Sequence, residues 1–269
     1  MTATRHPAVA GRFYPNDPTT LLASLNSYLS PRKEVTSAIA CMVPHAGYIY
    51  SGQVAGSVYA TLAIPRRCII LCPNHTGVGH PLSIVSQGTW RTPLDDATID
   101  SDLANTLKRR FPLLIEDSDA HAREHAIEVE LPFLQVCRQD FTFVPIALGT
   151  QKFEVLQSLG EVIGNVIAAQ DESILIIASS DMNHYESDRI TREKDHKAID
   201  RILALDPQGL FEVAKSEEIS MCGLGSAVTM LTAAKHLGAS KAELLQYATS
   251  GDVSGDREMV VGYAGVVVK

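Results

Sequence analysis

Three stretches decide how this chain reads: Ala40-Cys41-Met42-Val43-Pro44-His45, Ile69-Ile70-Leu71-Cys72-Pro73-Asn74-His75 and Ile174-Leu175-Ile176-Ile177-Ala178-Ser179-Ser180-Asp181-Met182-Asn183-His184. Each is a continuous apolar run that ends in a histidine-bearing turn. Runs of this kind mark strands buried on both faces of a sheet covered by helices. In open sheets of that type, ligands bind outside the carboxyl ends of the strands. If the three runs are neighbouring parallel strands, sequence-distant imidazoles meet at one edge of one sheet. That is the geometry of a metal or acid–base site.

Working outward, the spacing predicts a helix over about 19–28, with Asp17 as its cap and Pro18 at its first position. A second helix, rich in alanine and valine, follows Gly47-Tyr48-Ile49-Tyr50-Ser51-Gly52 and ends near Leu62. A short strand is expected at 82–86 and a helix at 99–109. Residues 124–136 carry Ile127, Leu131 and Leu134 at helical spacing, with Pro132 set to bend or interrupt the helix. A strand over 141–148, helices over 155–168, 192–205 and 223–237, and strands over 243–248 and 260–268 continue the alternation. Strands alternating with helices predict an α/β fold: a mixed or parallel central sheet flanked by helices. No internal repeat, low-complexity run or linker divides the chain, so residues 1–269 are expected to form a single domain.

Composition narrows the function classes. The 269 residues are 45% hydrophobic and 20% charged, which fits a folded globular protein and excludes disorder. The net charge of −8 is the wrong sign for a nucleic-acid binder, and the largest basic cluster is Lys108-Arg109-Arg110 on an expected helix surface. No stretch approaches the roughly 20 apolar residues that span a bilayer. The first seven residues lack the apolar core of a signal peptide. Of five cysteines, Cys41, Cys68 and Cys72 lie in or at the end of apolar runs and read as small buried hydrophobes. The expectation is a cytoplasmic protein that binds neither nucleic acid nor membrane.

The polar residues at the strand ends carry the chemistry. His45 and His75 both follow a proline-containing turn, with Gly47 and Gly77 just beyond, where glycine lets backbone pass close to a ligand. One such histidine alone would be read as bonding a loop carbonyl; two in equivalent contexts point to a shared site. Asp181 and His184 are spaced so that the carboxylate can orient the imidazole, as a general acid/base or as support for a metal ligand. A turn-capping role for Asp181 or Asn183 is the alternative. Cys222 stands just before a predicted helix, where peptide dipoles favour a thiolate. Two histidines and a thiolate make an open three-ligand site suited to Fe(II), zinc or copper; a cysteine in a helix–strand junction is the other reading.

His121-Ala122-Arg123-Glu124-His125 matches the H-x-x-E-H pattern of inverted zinc metallopeptidases. Short patterns arise easily, and Asp117-Ser118-Asp119 suggests a loop just upstream. The stronger expectation is that His125 and Glu128 face the wall of the main cleft, a solvated helix face being the alternative.

Taken together these segments resemble the Memo family. The resemblance rests on Pro44-His45-Ala46-Gly47-Tyr48-Ile49-Tyr50-Ser51-Gly52, Pro73-Asn74-His75, Glu124-His125-Ala126-Ile127-Glu128 with Leu131-Pro132-Phe133, Ser179-Ser180-Asp181-Met182-Asn183-His184, and Gly262-Tyr263-Ala264-Gly265. It spans nearly the whole chain. It implies a fold similar to class III extradiol dioxygenases, which are non-haem iron enzymes. It further implies His45, His75 and Cys222 as metal ligands, with Fe(II) first and copper or zinc as alternatives. His184, with Asp181 beside it, takes the place of the dioxygenase acid/base. Dioxygenases of that class carry a carboxylate where this chain has Cys222, and a softer, oxidisable thiolate alters metal choice and oxygen chemistry. Tyr48 and Tyr50 are expected at the pocket entrance, with His125 and Glu128 on its wall. The functions in view are a metal-dependent oxidoreductase, a non-catalytic module binding a peptide or small molecule, and a hydrolase using Cys222 as nucleophile and His184 as base.

Overall fold

A computed structural model of the chain describes residues 3–30 and 35–269. In chain order its elements are β1 (Thr4–Arg5), α1 (Pro18–Tyr28), β2 (Ala40–Val43), α2 (Tyr48–Tyr59), β3 (Arg67–Pro73), β4 (Leu82–Ile84), β5 (Thr89–Arg91) and β6 (Asp96–Ile99). The middle of the chain adds α3 (Ser101–Arg110), β7 (Ile115–Glu116), α4 (Asp119–Ala122), α5 (Leu131–Cys137), β8 (Thr142–Leu148) and α6 (Phe153–Ala168). Then come β9 (Ile174–Ser179), β10 (His184–Glu186), α7 (Asp188–Leu203), α8 (Pro207–Ser216), α9 (Leu224–His236), β11 (Ala242–Thr249), α10 (Gly251–Ser254) and β12 (Val260–Val268).

The three histidine-ending runs are adjacent parallel strands. The main sheet runs β1-β5-β6-β8-β3-β9-β2-β12-β10, with β11 on β12 and β4 on β8 and β7. β9 lies between β3 and β2 and is parallel to both, with Ile176 opposite Ala40 on one side and Ile69 on the other. β8 and β6 extend the parallel part, whereas β12 returns antiparallel to β2 and pairs antiparallel with β11. The sheet is therefore mixed, with a parallel centre.

Side chains alternate across the central strands with period two, so each strand feeds two cores. Ala40, Met42, Ile69, Leu71, Ile174 and Ile176 face one side, where they join Leu156, Leu159 and Ile163 of α6 and Val228 and Leu231 of α9. Cys41, Val43, Cys68, Ile70, Leu175 and Ile177 face the other, against Leu21 and Leu25 of α1, Val58 of α2 and Phe133 of α5. Burial on both faces explains why these strands read as unbroken apolar runs. Each such Leu, Ile or Val side chain contributes about 1.5–3 kcal/mol on leaving water. Cys41, Cys68 and Cys72 are buried thiols within these strands. Among the described residues no helix is long and apolar enough to cross a membrane.

Three departures from the sequence reading have physical causes. Residues 124–130 form tight turns instead of a helix, and α5 starts only at Leu131. Pro132 falls in its first turn, where a missing N–H costs nothing; it begins a helix and does not kink one. Helix α8 is absent from the expected elements although Asp206 caps it, accepting from the Gly209 N–H, with Pro207 at its start. The signal is the Asp-Pro pair that correctly marked α1, where Asp17 accepts from the Thr20 N–H. The short strands β5 and β6, between β1 and β8, are partly polar and carry no apolar run.

Candidate metal centre

His45 follows β2 after Pro44 and is 1% exposed. Its backbone N–H donates to Asp181 Oδ1 at 2.8 Å, which ties the β2 turn to the turn after β9. Its Nδ1 lies 2.8 Å from Ser179 Oγ, the last residue of β9 and the register partner of Val43. Parallel pairing thus places a hydroxyl beside the ring, and Nε2 is left to face the site.

His75 follows β3 through a turn in which Asn74 Oδ1 accepts from the Gly77 N–H at 3.0 Å, with Gly77 at φ +63°. Glu124 clamps it twice: Oε2 accepts from the His75 N–H at 2.7 Å and Oε1 sits 2.9 Å from Nδ1. Glu124 is fully buried and also accepts from the Ala126 N–H. In the sequence Glu124 stands only in the H-x-x-E-H pattern and the Glu124–Glu128 segment, and neither ties it to His75. The carboxylate that orients an imidazole here is Glu124 on His75, not Asp181 on His184.

His125 completes a group of three imidazoles. Its ring stacks on His75 with centroids 4.8 Å apart and meets His45 edge-on at 5.4 Å, while His45 and His75 are 5.0 Å apart. One ring nitrogen from each of His45, His75 and His125 lies within 4.8 Å of the other two. The sequence reading placed His125 on the cleft wall, because its neighbour Glu128 and helical spacing suggested a helix face. With no helix there, the two side chains part company.

Cys222 comes from the turn before α9, with Sγ 3.2 Å from His45 Nε2. Gly223 makes this approach possible: a Cβ there would collide with the Ser180 side chain and the Ser179 carbonyl. The Gly223 N–H donates to Ser180 Oγ, joining the start of α9 to the β9 turn.

The other expected residues have partners outside the imidazole group. The His184 Nδ1 is 3.0 Å from the Ser220 carbonyl and its backbone N–H donates to Ser220 Oγ, so Asp181 does not orient it. Glu128 is fully buried and turned to the N-terminal segment. It pairs with Arg5 at 2.6 Å and accepts from the Ala8 and Val9 N–H groups and the Tyr14 hydroxyl. Tyr48 is a core residue packed on Phe133, and its hydroxyl donates to the Val129 carbonyl. Tyr50 stays on the surface. The H-x-x-E-H reading fails because α4 stops at Ala122, so His121 and His125 share no helix; His121 faces Trp90.

With this geometry in hand, comparison with known proteins decides the family. The Memo-like protein family matches residues 5–267. A MEMO1 family protein of Methanopyrus kandleri is 43% identical over 98% of this chain and 99% of its own length. Relatives from Methanosarcina barkeri and Archaeoglobus fulgidus are each 43% identical over 98% of the chain, covering 100% and 99% of their own lengths. The chain belongs to the Memo family.

In this Memo-family site, burial sets the protonation states. Burial holds the His45 pKa well below its ordinary value, and the neighbouring His75, His125 and His184 add to the effect. Burial works in the same direction on His125 and His184. Burial also opposes charge on His75, but the hydrogen bond and charge of Glu124 outweigh it and raise its pKa. Burial lifts Asp181 to about 7, against the pull of the His45 and Ala46 N–H groups. Burial and the Asp181 charge push the Cys222 thiol well above its ordinary range. Desolvation thus works against the thiolate expected before a helix, while the Asp181 and Gly223 backbone groups favour it. A neutral imidazole bonded through Nδ1 offers its Nε2 lone pair to a metal, and a bound cation would displace the thiol proton. A cavity of about 510 Å³ opens beside His75 and Cys222, walled by Leu148, Met221 and Phe211 with Lys215.

Proposed function

We propose that this Memo-family protein is a metal-dependent oxidoreductase related to the class III extradiol dioxygenases. The observation that carries the reading is the convergence of three ring nitrogens within 4.8 Å at the carboxyl ends of parallel strands, with the Cys222 sulfur 3.2 Å from His45. His45, His75 and Cys222 hold the metal, Fe(II) first and copper or zinc as alternatives, since imidazole and thiolate donors suit all three. When bound, such a metal supplies redox or Lewis-acid chemistry. His184 moves protons at the rim, and the adjoining cavity receives a small molecule. The compactness of the imidazole group supports a second ligand set, in which His125 replaces Cys222. A non-catalytic module that captures a peptide or small molecule in the same cavity is the rival function. Cysteine hydrolysis is disfavoured, because burial opposes a Cys222 thiolate and His184 bonds Ser220 instead of serving Cys222.

Anaerobic purification with elemental analysis, followed by oxygen-uptake assays on catechols and thiols, tests the function. Turnover is expected, and a metal-loaded protein inert to every donor favours the binding module. For the ligand set, Cys222→Ser should lower metal stoichiometry and remove the thiolate charge-transfer absorption of the Co(II)-loaded protein. Stoichiometry lost only in His125→Gln would select the three-histidine set.

A further inference from the structure

Behind His45 runs a buried line of side chains that the metal site itself does not use. Ser179 Oγ has three neighbours: His45 Nδ1 at 2.8 Å, the Ala126 carbonyl at 2.7 Å and Glu130 Oε1 at 3.1 Å. Glu130 Oε2 accepts in turn from the Tyr59 hydroxyl at 3.0 Å. Glu130 and Ser179 are both fully buried.

A hydroxyl has one hydrogen and two acceptor sites. A carbonyl can only accept, and no other donor reaches the Ala126 oxygen among the described residues, so the serine hydrogen belongs there. Ser179 Oγ must then accept from both remaining neighbours. His45 can donate only as the Nδ1–H tautomer, and Glu130 Oε1 can donate only if it carries a proton. An ionised Glu130 would set two electron-rich oxygens 3.1 Å apart with no hydrogen between them. No Lys or Arg pairs with Glu130 among the described residues; the groups around it are Tyr59, Tyr48, Cys41 and Asp181, all acids.

We propose that Glu130 is held as a neutral carboxylic acid whose O–H, through Ser179, locks His45 in the Nδ1–H tautomer and positions its Nε2 lone pair for a metal ion. Burial lifts the Glu130 pKa to about 8, in line with the hydrogen count. Glu130 is thus a positioning residue. Its assigned purpose rests on the metal-binding reading above, whereas its protonation state does not.

Glu130→Gln tests this, because an amide N–H replaces the O–H toward Ser179 while the amide carbonyl still accepts from Tyr59. In metal-free protein at pH 7, the infrared carbonyl band of a protonated carboxyl should be present and lose intensity in Glu130→Gln. Nitrogen NMR should show His45 protonated at Nδ1 in the wild type and Glu130→Gln, and a tautomer mixture in Glu130→Leu. Zn²⁺ titrated against a competing chelator should bind wild type and Glu130→Gln within about twofold of each other and Glu130→Leu roughly ten- to a hundredfold more weakly. A carboxyl band unchanged by Glu130→Gln, or Zn²⁺ binding weakened tenfold or more by that variant, would overturn the proposal. If Glu130→Leu does not fold, the infrared band and the glutamine variant still decide. Failure of the wild type to bind any metal would sink the functional reading and leave the infrared and tautomer results to judge Glu130.

Discussion

Lowering the pH should destabilise this protein through His121, and His121→Phe should remove that part of the response. The ring is 1% exposed and neither nitrogen reaches a hydrogen-bond partner. Burial is the main cause that lowers its pKa from 6.5 to about 4; the nearby Ser83 backbone favours the charged form and Arg5 opposes it. Between those values the unfolded chain binds more protons than the native one, so stability falls as pH drops from about 6.5 toward 4 and is flat above. Linkage gives a loss of about 2 kcal/mol by pH 5 and about 3 kcal/mol once both states are protonated. Glu130 and Asp195, with pKa values raised to about 8 and about 7, act in the opposite sense, because the native state then binds the extra protons. The difference between wild type and His121→Phe isolates the imidazole from them. Urea unfolding followed by fluorescence of Trp90, the only tryptophan and an edge-on neighbour of His121, measures it at pH 7.5, 6 and 5. The variant should match the wild type at pH 7.5 within about 1.5 kcal/mol and gain about 2 kcal/mol on it by pH 5. A gap that stays constant to within about 0.5 kcal/mol across that range would refute a buried, neutral His121.

Other predictions concern the supports of the site. Glu124→Gln loses the double clamp on His75, and Zn²⁺ affinity should fall roughly ten- to a hundredfold; equal affinity by chelator competition would show that His75 needs no clamp. Arg5→Ala leaves the Glu128 carboxylate buried without its cation, with a cost of about 3 kcal/mol in urea unfolding. A loss below about 1 kcal/mol would mean that the Ala8, Val9 and Tyr14 donors suffice. Gly223→Ala forces the start of α9 away from Ser180, costing about 1–3 kcal/mol; a crystal structure with Cys222 Sγ unmoved would contradict the close-approach argument.

Much of the fold was legible because burial on two faces writes itself into sequence as unbroken apolar runs. The capping pair Asp17-Pro18 announced α1 in the same direct way. What was illegible had weaker or contrary local signals. The apolar spacing of Ile127, Leu131 and Leu134 imitates a helix, yet residues 125–130 turn tightly so that His125 faces the imidazoles while Glu128 and Glu130 enter separate buried networks. Tyr48 sits two residues from Tyr50 in sequence; one anchors the core and the other stays outside, because the first turn of α2 exposes only one of them.

By itself the sequence determined that three apolar strands would end in histidine-bearing turns, and that a cysteine would precede a late helix. Those features are local, set by side-chain period and turn chemistry. The tertiary structure decided which of these groups meet. Strand order put β9 between β3 and β2, and parallel register set Ser179 beside His45. The glycine contact at Gly223 brought Cys222 to the same imidazole. The partners Glu124 and Glu130 came from a turn whose path depends on what packs around it. Sequence spacing cannot specify such distances, because they are set by the packing of segments more than 40 residues apart.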